Sequence, residues 1–173
     1  YLYFKMLNYS YWELKEWFTN VDFTIVGSGI VGLNCALTLK KAHPNAKIII
    51  LEKGMLPQGA STKNAGFACF GSLSELIDDL KTHSEEEVFN LVKKRWKGLQ
   101  LLRKTLGDAA IDFQQNKGYE LFNDSDFYEE CLAEKNKINQ LLKPLFSSDV
   151  FKVDNNFFEF KNVHENYITN QFE

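Results

Sequence analysis

The chain has 173 residues, with 20 Lys+Arg against 23 Asp+Glu, a formal net charge of −3, 45% hydrophobic and 25% charged residues. That profile belongs to a folded globular chain and not to a disordered one, and the length suits one domain, or one domain with part of a second. Apolar runs such as Ile48 to Leu51 are strand-sized, far short of the ~18 residues that cross a bilayer, and a slightly acidic balance argues against a dedicated nucleic-acid binder, whose phosphate contacts need a basic surface.

In chain order, the first methionine is Met6, and the five residues before it lack the charged, apolar, small-residue order of a signal peptide. They are expected not to be the natural start, and Tyr167 to Glu173, without terminal punctuation, suggest that the other end is cut as well. Ser10-Tyr11-Trp12-Glu13 is a capping box that predicts a short helix to about Phe18. Phe23 to Val26 reads as a buried strand. From Ile30, the residues Ile30, Leu33, Ala36 and Leu37 recur at helical spacing until His43-Pro44-Asn45 stops the pattern. Lys47 to Glu52 is β-branched and continuous, as expected of a parallel strand covered on both faces. Strand, helix and strand in this order form a βαβ unit.

A small-residue loop, Gly54 to Ser72, follows, and then the composition turns helical. Ser84 to Glu87 is a second capping box, and Val88, Val92, Trp96, Leu99, Leu102 and Leu106 make one apolar stripe closed by Gly107. The run of charges on this helix, acidic first and basic last, complements the helix dipole and reads as a solvated face. Ile111 to Gln115 and Tyr119 to Phe122, joined through Asn116-Lys117-Gly118, look like a hairpin. A helix over about Asp126 to Leu142 carries Cys131, Ile138, Leu141 and Leu142. The tail from Val150, with Phe151, Phe157, Phe158 and Phe160, is expected to be strand-like. Two domains are expected, 1–72 and 73–173.

The chemistry is concentrated in Gly27-Ser28-Gly29-Ile30-Val31-Gly32. GxGxxG alone is a weak motif, compatible with a tight turn in any α/β protein. Here it directly follows a predicted strand, opens a helix, and is followed by Glu52 at the end of the next strand. In that context Gly27 allows the tight turn, Gly29 lets backbone approach a pyrophosphate, and Gly32 lets helix and strand pack closely. The N–H groups at the helix start and the dipole favour the diphosphate. Glu52 can only accept hydrogen bonds, which suits the two hydroxyls of an adenosine ribose and disfavours a 2′-phosphate.

FAD and NAD share this fingerprint, and the discriminating stretch is Gly59-Ala60-Ser61-Thr62-Lys63-Asn64-Ala65-Gly66. With the opening Ile-Val-Gly-Ser-Gly-Ile-Val-Gly-Leu and Leu51-Glu52-Lys53, this loop resembles the FAD-dependent D-amino-acid oxidase and glycine oxidase superfamily, clearly over residues 22–72 and more loosely beyond. The resemblance implies an α/β, Rossmann-like FAD-binding βαβ fold with the beginning of an α+β substrate domain. It implies bound FAD, with Glu52 on the ribose, Lys53 beside the adenosine, Ser61 and Thr62 near the pyrophosphate, and the backbone of Asn64, Ala65 and Gly66 near the flavin. Lys63, beside those hydroxyls, could neutralise the diphosphate. It further implies hydride transfer from the carbon bearing the amine of an amine or amino-acid substrate. In this family the substrate-gripping residues come mostly from the later half of the chain, so no catalytic residue is named.

The remaining residues carry less. Cys35, Cys69 and Cys131 form neither a CxxC pair nor an even set, so a reducing, cytoplasmic setting fits best and Cys69 is expected to be a small buried hydrophobe. His43, His83 and His164 share no metal-ligand spacing and are expected at the surface. Two alternatives share the fingerprint: an NAD-dependent dehydrogenase, which normally lacks the Ser-Thr-Lys-Asn-Ala-Gly loop, and a non-enzymatic dinucleotide-binding module.

Overall fold

Near the start of the described residues stands the expected capping box. The Ser10 hydroxyl accepts the Glu13 N–H and the Glu13 carboxylate accepts the Ser10 N–H, opening α1 (Tyr11–Glu13), which continues as a wider π-helical turn over Leu14–Phe18. The Lys47 ammonium closes that turn by donating to the carbonyls of Glu16 and Thr19. The computed structural model describes residues 9–155, 160, 161, 164 and 166–170. The expectation about the first five residues, and the aromatic positions Phe157 and Phe158, lie outside them.

The chain forms two compact units, 1–67 and 68–173. In the first, β1 (Phe23–Val26) and β2 (Ile48–Leu51) pair in parallel in the register Phe23 with Ile48 through Val26 with Leu51. The crossover between them is α2 (Ile30–Ala42). The pairing extends beyond both strand ends, through Asp22 and Phe23 N–H to the Lys47 carbonyl and Gly27 N–H to the Leu51 carbonyl. This is the expected βαβ unit, with Glu52 one residue past the strand. No described residue of this unit is buried: Phe23 and Ile25 are half-covered, and Val26, 85% exposed, faces open space. The full two-sided covering expected for these strands is therefore absent, because one helix shields only part of one face of a two-stranded sheet.

The second unit holds the core. Its helices are α3 (Leu73–Thr82), α4 (Glu85–Leu106) and α5 (Ser125–Leu142), and its sheet has the order β3 (Gly118–Glu120), β5 (Asn166–Asn170), β4 (Phe151–Asn155), all antiparallel. Helix α3 opens with a capping box of its own, Ser72 to Glu75, and α4 with the one at Ser84 to Glu87. Leu73, Leu76 and Ile77 of α3, Val88 and Val92 of α4, and Tyr128, Cys131, Ile138 and Leu142 of α5 close over Phe70, Phe122, Phe146, Phe151 and Ile168. The α4 stripe is buried only at its start. Trp96 packs against Phe146, Leu99 and Leu102 are half-covered, and Leu106 is exposed, since the last turns of this long helix run past the core.

The hairpin expected between Ile111–Gln115 and Tyr119–Phe122 is not formed. The first segment folds into turns at the end of α4, with Phe113 N–H donating to the Asp108 carbonyl and the Arg103 guanidinium both paired to the Asp108 carboxylate and stacked on the Phe113 ring. The second segment pairs as β3 with β5, some fifty positions later, with Gly118 opposite Asn170. Strand partners are chosen by packing and not by proximity, so a short local pair loses to a longer sheet with a buried face. The aromatic tail does form strand at Phe151–Asn155, while Phe160 is exposed and outside any strand.

Candidate functional site

Strand β1 delivers the chain into the glycine turn. Gly27 has φ +94°, a conformation side-chain-bearing residues rarely adopt. A Cβ on Gly32 would lie 2.2 Å from the Gly27 carbonyl oxygen and 3.3 Å from Ile25 Cγ2, so α2 can start this close to β1 only with a bare backbone there. A Cβ on Gly29 would meet only the Ser61 hydroxyl, at 3.1 Å. Two glycines of the motif thus shape the fold, and the third keeps a surface open.

That surface is the N-terminus of α2. The first N–H groups of a helix have no acceptor within it. Here the Ile30 N–H donates to Ser61 Oγ at 2.9 Å and the Leu33 N–H to the Gly29 carbonyl at 3.0 Å, leaving those of Val31 and Gly32 without an acceptor among the described residues. The first turn carries no acidic side chain and Gly29 supplies no capping group. Free backbone donors, the positive end of the helix dipole and an adjacent serine hydroxyl make a donor set that fits a diphosphate.

Glu52 stands beside this turn. Its Oε2 accepts the Ser28 N–H at 2.9 Å and the Ser28 hydroxyl at 2.7 Å, and its Oε1 accepts a long bond, 3.4 Å, from the Gly54 N–H. The Ser28 backbone first, then its hydroxyl, then Gly54, hold the Glu52 carboxyl below its ordinary value. The group is therefore an anion with one oxygen engaged and the other largely available, a fit to vicinal hydroxyls.

The loop after β2 is organised mostly by itself. Thr62 Oγ1 bonds the carbonyls of Pro57 and Gly59, both at 3.1 Å, so its proton is used inside the loop. Asn64 Oδ1 accepts the Gly66 N–H at 2.8 Å, an Asx turn that leads into Gly66 at φ +81°. Ser61 alone among the loop's named side chains reaches the glycine turn. Lys53, Lys63 and Ala65 are exposed. The structure thus brings Gly27, Ser28, Gly29, Ile30, Val31, Gly32, Glu52 and Ser61 into one place. The pairing of Ser28 with Glu52 was missed in the sequence: a serine is legible there, but its partner depends on how the turn aims it.

Elsewhere the cysteine and histidine expectations are partly corrected. Cys69 is exposed, as is Cys35, because its neighbour Phe70, and not the cysteine, is the side chain that enters the core of the second unit. Cys131 is the buried one, and burial, with Glu120, Glu130 and Asp78 nearby, pushes its thiol up to about 11. His43 and His83 are at the surface, but His164 is half-buried and stacked on Tyr128 at 3.9 Å. No described helix is long and apolar enough to cross a membrane.

Comparison with known proteins agrees with this geometry. The family model of FAD-dependent oxidoreductases (DAO) matches residues 22–150. A thiamine thiazole synthase from Ajellomyces capsulatus (strain G186AR / H82 / ATCC MYA-2454 / RMSCC 2432) is 31% identical over 119 residues, covering 65% of this chain and 34% of the relative. A chloroplastic thiamine thiazole synthase from Chlamydomonas reinhardtii is 28% identical over 119 residues, covering 65% of this chain and 31% of the relative. The chain spans about a third of the length of these curated relatives. No solved structure matches it. With the family model covering the βαβ unit, the glycine turn, Glu52 and the helices that follow, the chain belongs to the FAD-dependent oxidoreductase family, and its cofactor is FAD.

Proposed function

We propose that the protein is a flavoenzyme that oxidises the C–N bond of an amine or amino acid, and that this chain grips the adenosine diphosphate end of the cofactor. The observation that carries the reading is the juxtaposition, at the N-terminus of α2, of unpaired backbone donors with the Glu52 carboxylate from the end of β2. In this assignment Gly27 and Gly32 set the turn, Gly29 leaves room for the pyrophosphate, and the Val31 and Gly32 N–H groups hold it together with Ser61, which the Ile30 N–H keeps in place. Glu52 accepts from the ribose hydroxyls, and Lys53 lies beside the adenosine. Thr62 and Asn64 shape the loop, Lys63 lends it a positive charge, and the backbone of Ala65 and Gly66 approaches the ring. When bound, FAD supplies a two-electron acceptor for hydride from the substrate carbon. The chain's own residues bind and orient; none within 1–173 is assigned to the chemical step.

The similarity to two thiamine thiazole synthases favours a second reading, formation of a thiazole for thiamine. Three cysteines without a pairing pattern support a cytoplasmic setting, while one of these relatives is named as chloroplastic. The deciding experiment uses the intact protein purified with its flavin. Under the first reading, anaerobic addition of one member of an amine and amino-acid panel bleaches the visible flavin band and yields the corresponding imine or its hydrolysis product. A panel that leaves the flavin oxidised, together with a thiazole found by mass spectrometry, decides for the second. In either case Glu52→Ala is expected to lose FAD during gel filtration, and full retention retires the role given to Glu52.

A further inference from the structure

Ser28 occupies the first variable position of the glycine motif, where any small residue would satisfy the turn. Here it does more than fill space. Its backbone N–H and its hydroxyl converge on one atom, Glu52 Oε2, at 2.9 and 2.7 Å, across 24 positions of sequence. Glu52 is one residue past β2, where the chain leaves the sheet, and beyond Ser28 its carboxylate has only the backbone of its own loop for company, the 3.4 Å bond from Gly54 to Oε1 and the nearby Lys53 N–H. A glutamate side chain at a strand end has three rotatable torsions, and an unrestrained one spends most of its time away from any single ligand geometry. Two charge-assisted hydrogen bonds to the same oxygen remove that freedom. The Ser28 donor is itself fixed, because the preceding Gly27 is tied to the Leu51 carbonyl at 2.7 Å, so the strand end that carries Glu52 and the turn that carries Ser28 are locked together.

We propose that Ser28 is a positioning residue for the adenosine ribose: it pins one oxygen of Glu52 and thereby presents the other to the ribose hydroxyls. The inference rests on the FAD-binding reading above and adds to it a residue that acts through Glu52 and not on the cofactor directly. Its hydroxyl, donating to Glu52, is not available to donate to a phosphate, which separates its role from that of Ser61.

The test is a double-mutant cycle on the intact apoprotein, with FAD affinity measured from quenching of flavin fluorescence. Ser28→Ala keeps the backbone donor and loses the hydroxyl, and is expected to weaken FAD binding roughly tenfold. Ser28→Thr, which restores a hydroxyl, is expected to recover most of that loss. Glu52→Ala is expected to weaken binding at least as much as Ser28→Ala, and adding Ser28→Ala to Glu52→Ala should cause no further loss, because Ser28 then has nothing to hold. If the two losses multiply in the double variant, Ser28 acts independently through the turn or the phosphate and the positioning role is wrong, while Glu52 keeps its own. If Ser28→Ala binds FAD like the unaltered protein, the role is also wrong. If Glu52→Ala itself binds FAD normally, the ribose assignment of Glu52 falls and the inference falls with it.

Discussion

The glycines of the turn differ in what a side chain would strike, and that difference separates folding from binding. At position 32 the added Cβ meets backbone, the Gly27 carbonyl oxygen at 2.2 Å, which cannot move without breaking the turn. At position 29 it meets only the end of Ser61. Gly32→Ala is therefore expected to destabilise the βαβ unit by at least the roughly 1–3 kcal/mol typical of overpacking, seen in the intact, FAD-loaded protein as lost protection of β1 and β2 amides. Gly29→Val is expected to leave the far-UV circular dichroism unchanged while FAD content falls, because the bulk stands where the diphosphate approaches the helix. Lys94→Ala, on the exposed face of α4, is the control and should retain FAD. Normal flavin content in a folded Gly29→Val protein would remove the phosphate role of the turn.

Among the elements, the junction of α5 with β4 shows how a polar group becomes structural. Asn139 is 4% exposed, and its side-chain amide makes both bonds of a peptide mimic, donating to the Phe151 carbonyl at 3.0 Å and accepting the Phe151 N–H at 2.9 Å. Phe151 begins β4, so the helix side chain substitutes for a neighbouring strand at a buried point. Asn139→Leu preserves volume but strands two buried backbone groups, each costing roughly 1–3 kcal/mol. The expected result is a lower thermal midpoint of the second unit, with a denaturant midpoint shifted in the same direction. No shift would mean that water replaces the amide. This contact was not legible beforehand: the sequence shows an asparagine on a helix, ordinarily a solvent-facing residue, and nothing local marks the strand it serves.

For the whole molecule, the contrast between the two units is the main physical feature. The second has a continuous core from Phe70 to Ile168 built on three helices and a three-stranded sheet. The first has no buried residue among those described, and it leaves apolar surface open at Val26 and Leu51 on its parallel strands and at Leu33 on α2. Parallel sheets are ordinarily covered on both faces, and exposed patches of this kind promote association. Hydrogen exchange on residues 1–173 is accordingly expected to show slow amides in α3, α5 and β5 and fast ones in β1 and β2. Such a chain should also bind hydrophobic dye and hold FAD weakly. Equal protection in both units, with stoichiometric FAD, would overturn this picture.

The sequence by itself determined the local and the motif-borne parts. Alternation of strand, glycine turn, helix and strand depends on short-range periodicity and turn chemistry, so β1, α2, β2, the glycine turn, the capping boxes of α1 and α4, and the position of Glu52 were readable directly, and the family resemblance of these motifs supplied the cofactor. The capping box of α3, Ser72 to Glu75, is equally local, but the small-residue loop it closes masks it as a helix start. Only the tertiary structure decided the rest. It paired β3 with β5 instead of with its sequence neighbour, buried Cys131 and exposed Cys69, sent the end of the α4 stripe into solvent, and joined Ser28 to Glu52. Each of these depends on which surfaces meet across long stretches of chain, where the free energy of burial and the direction of a turn outweigh local preference.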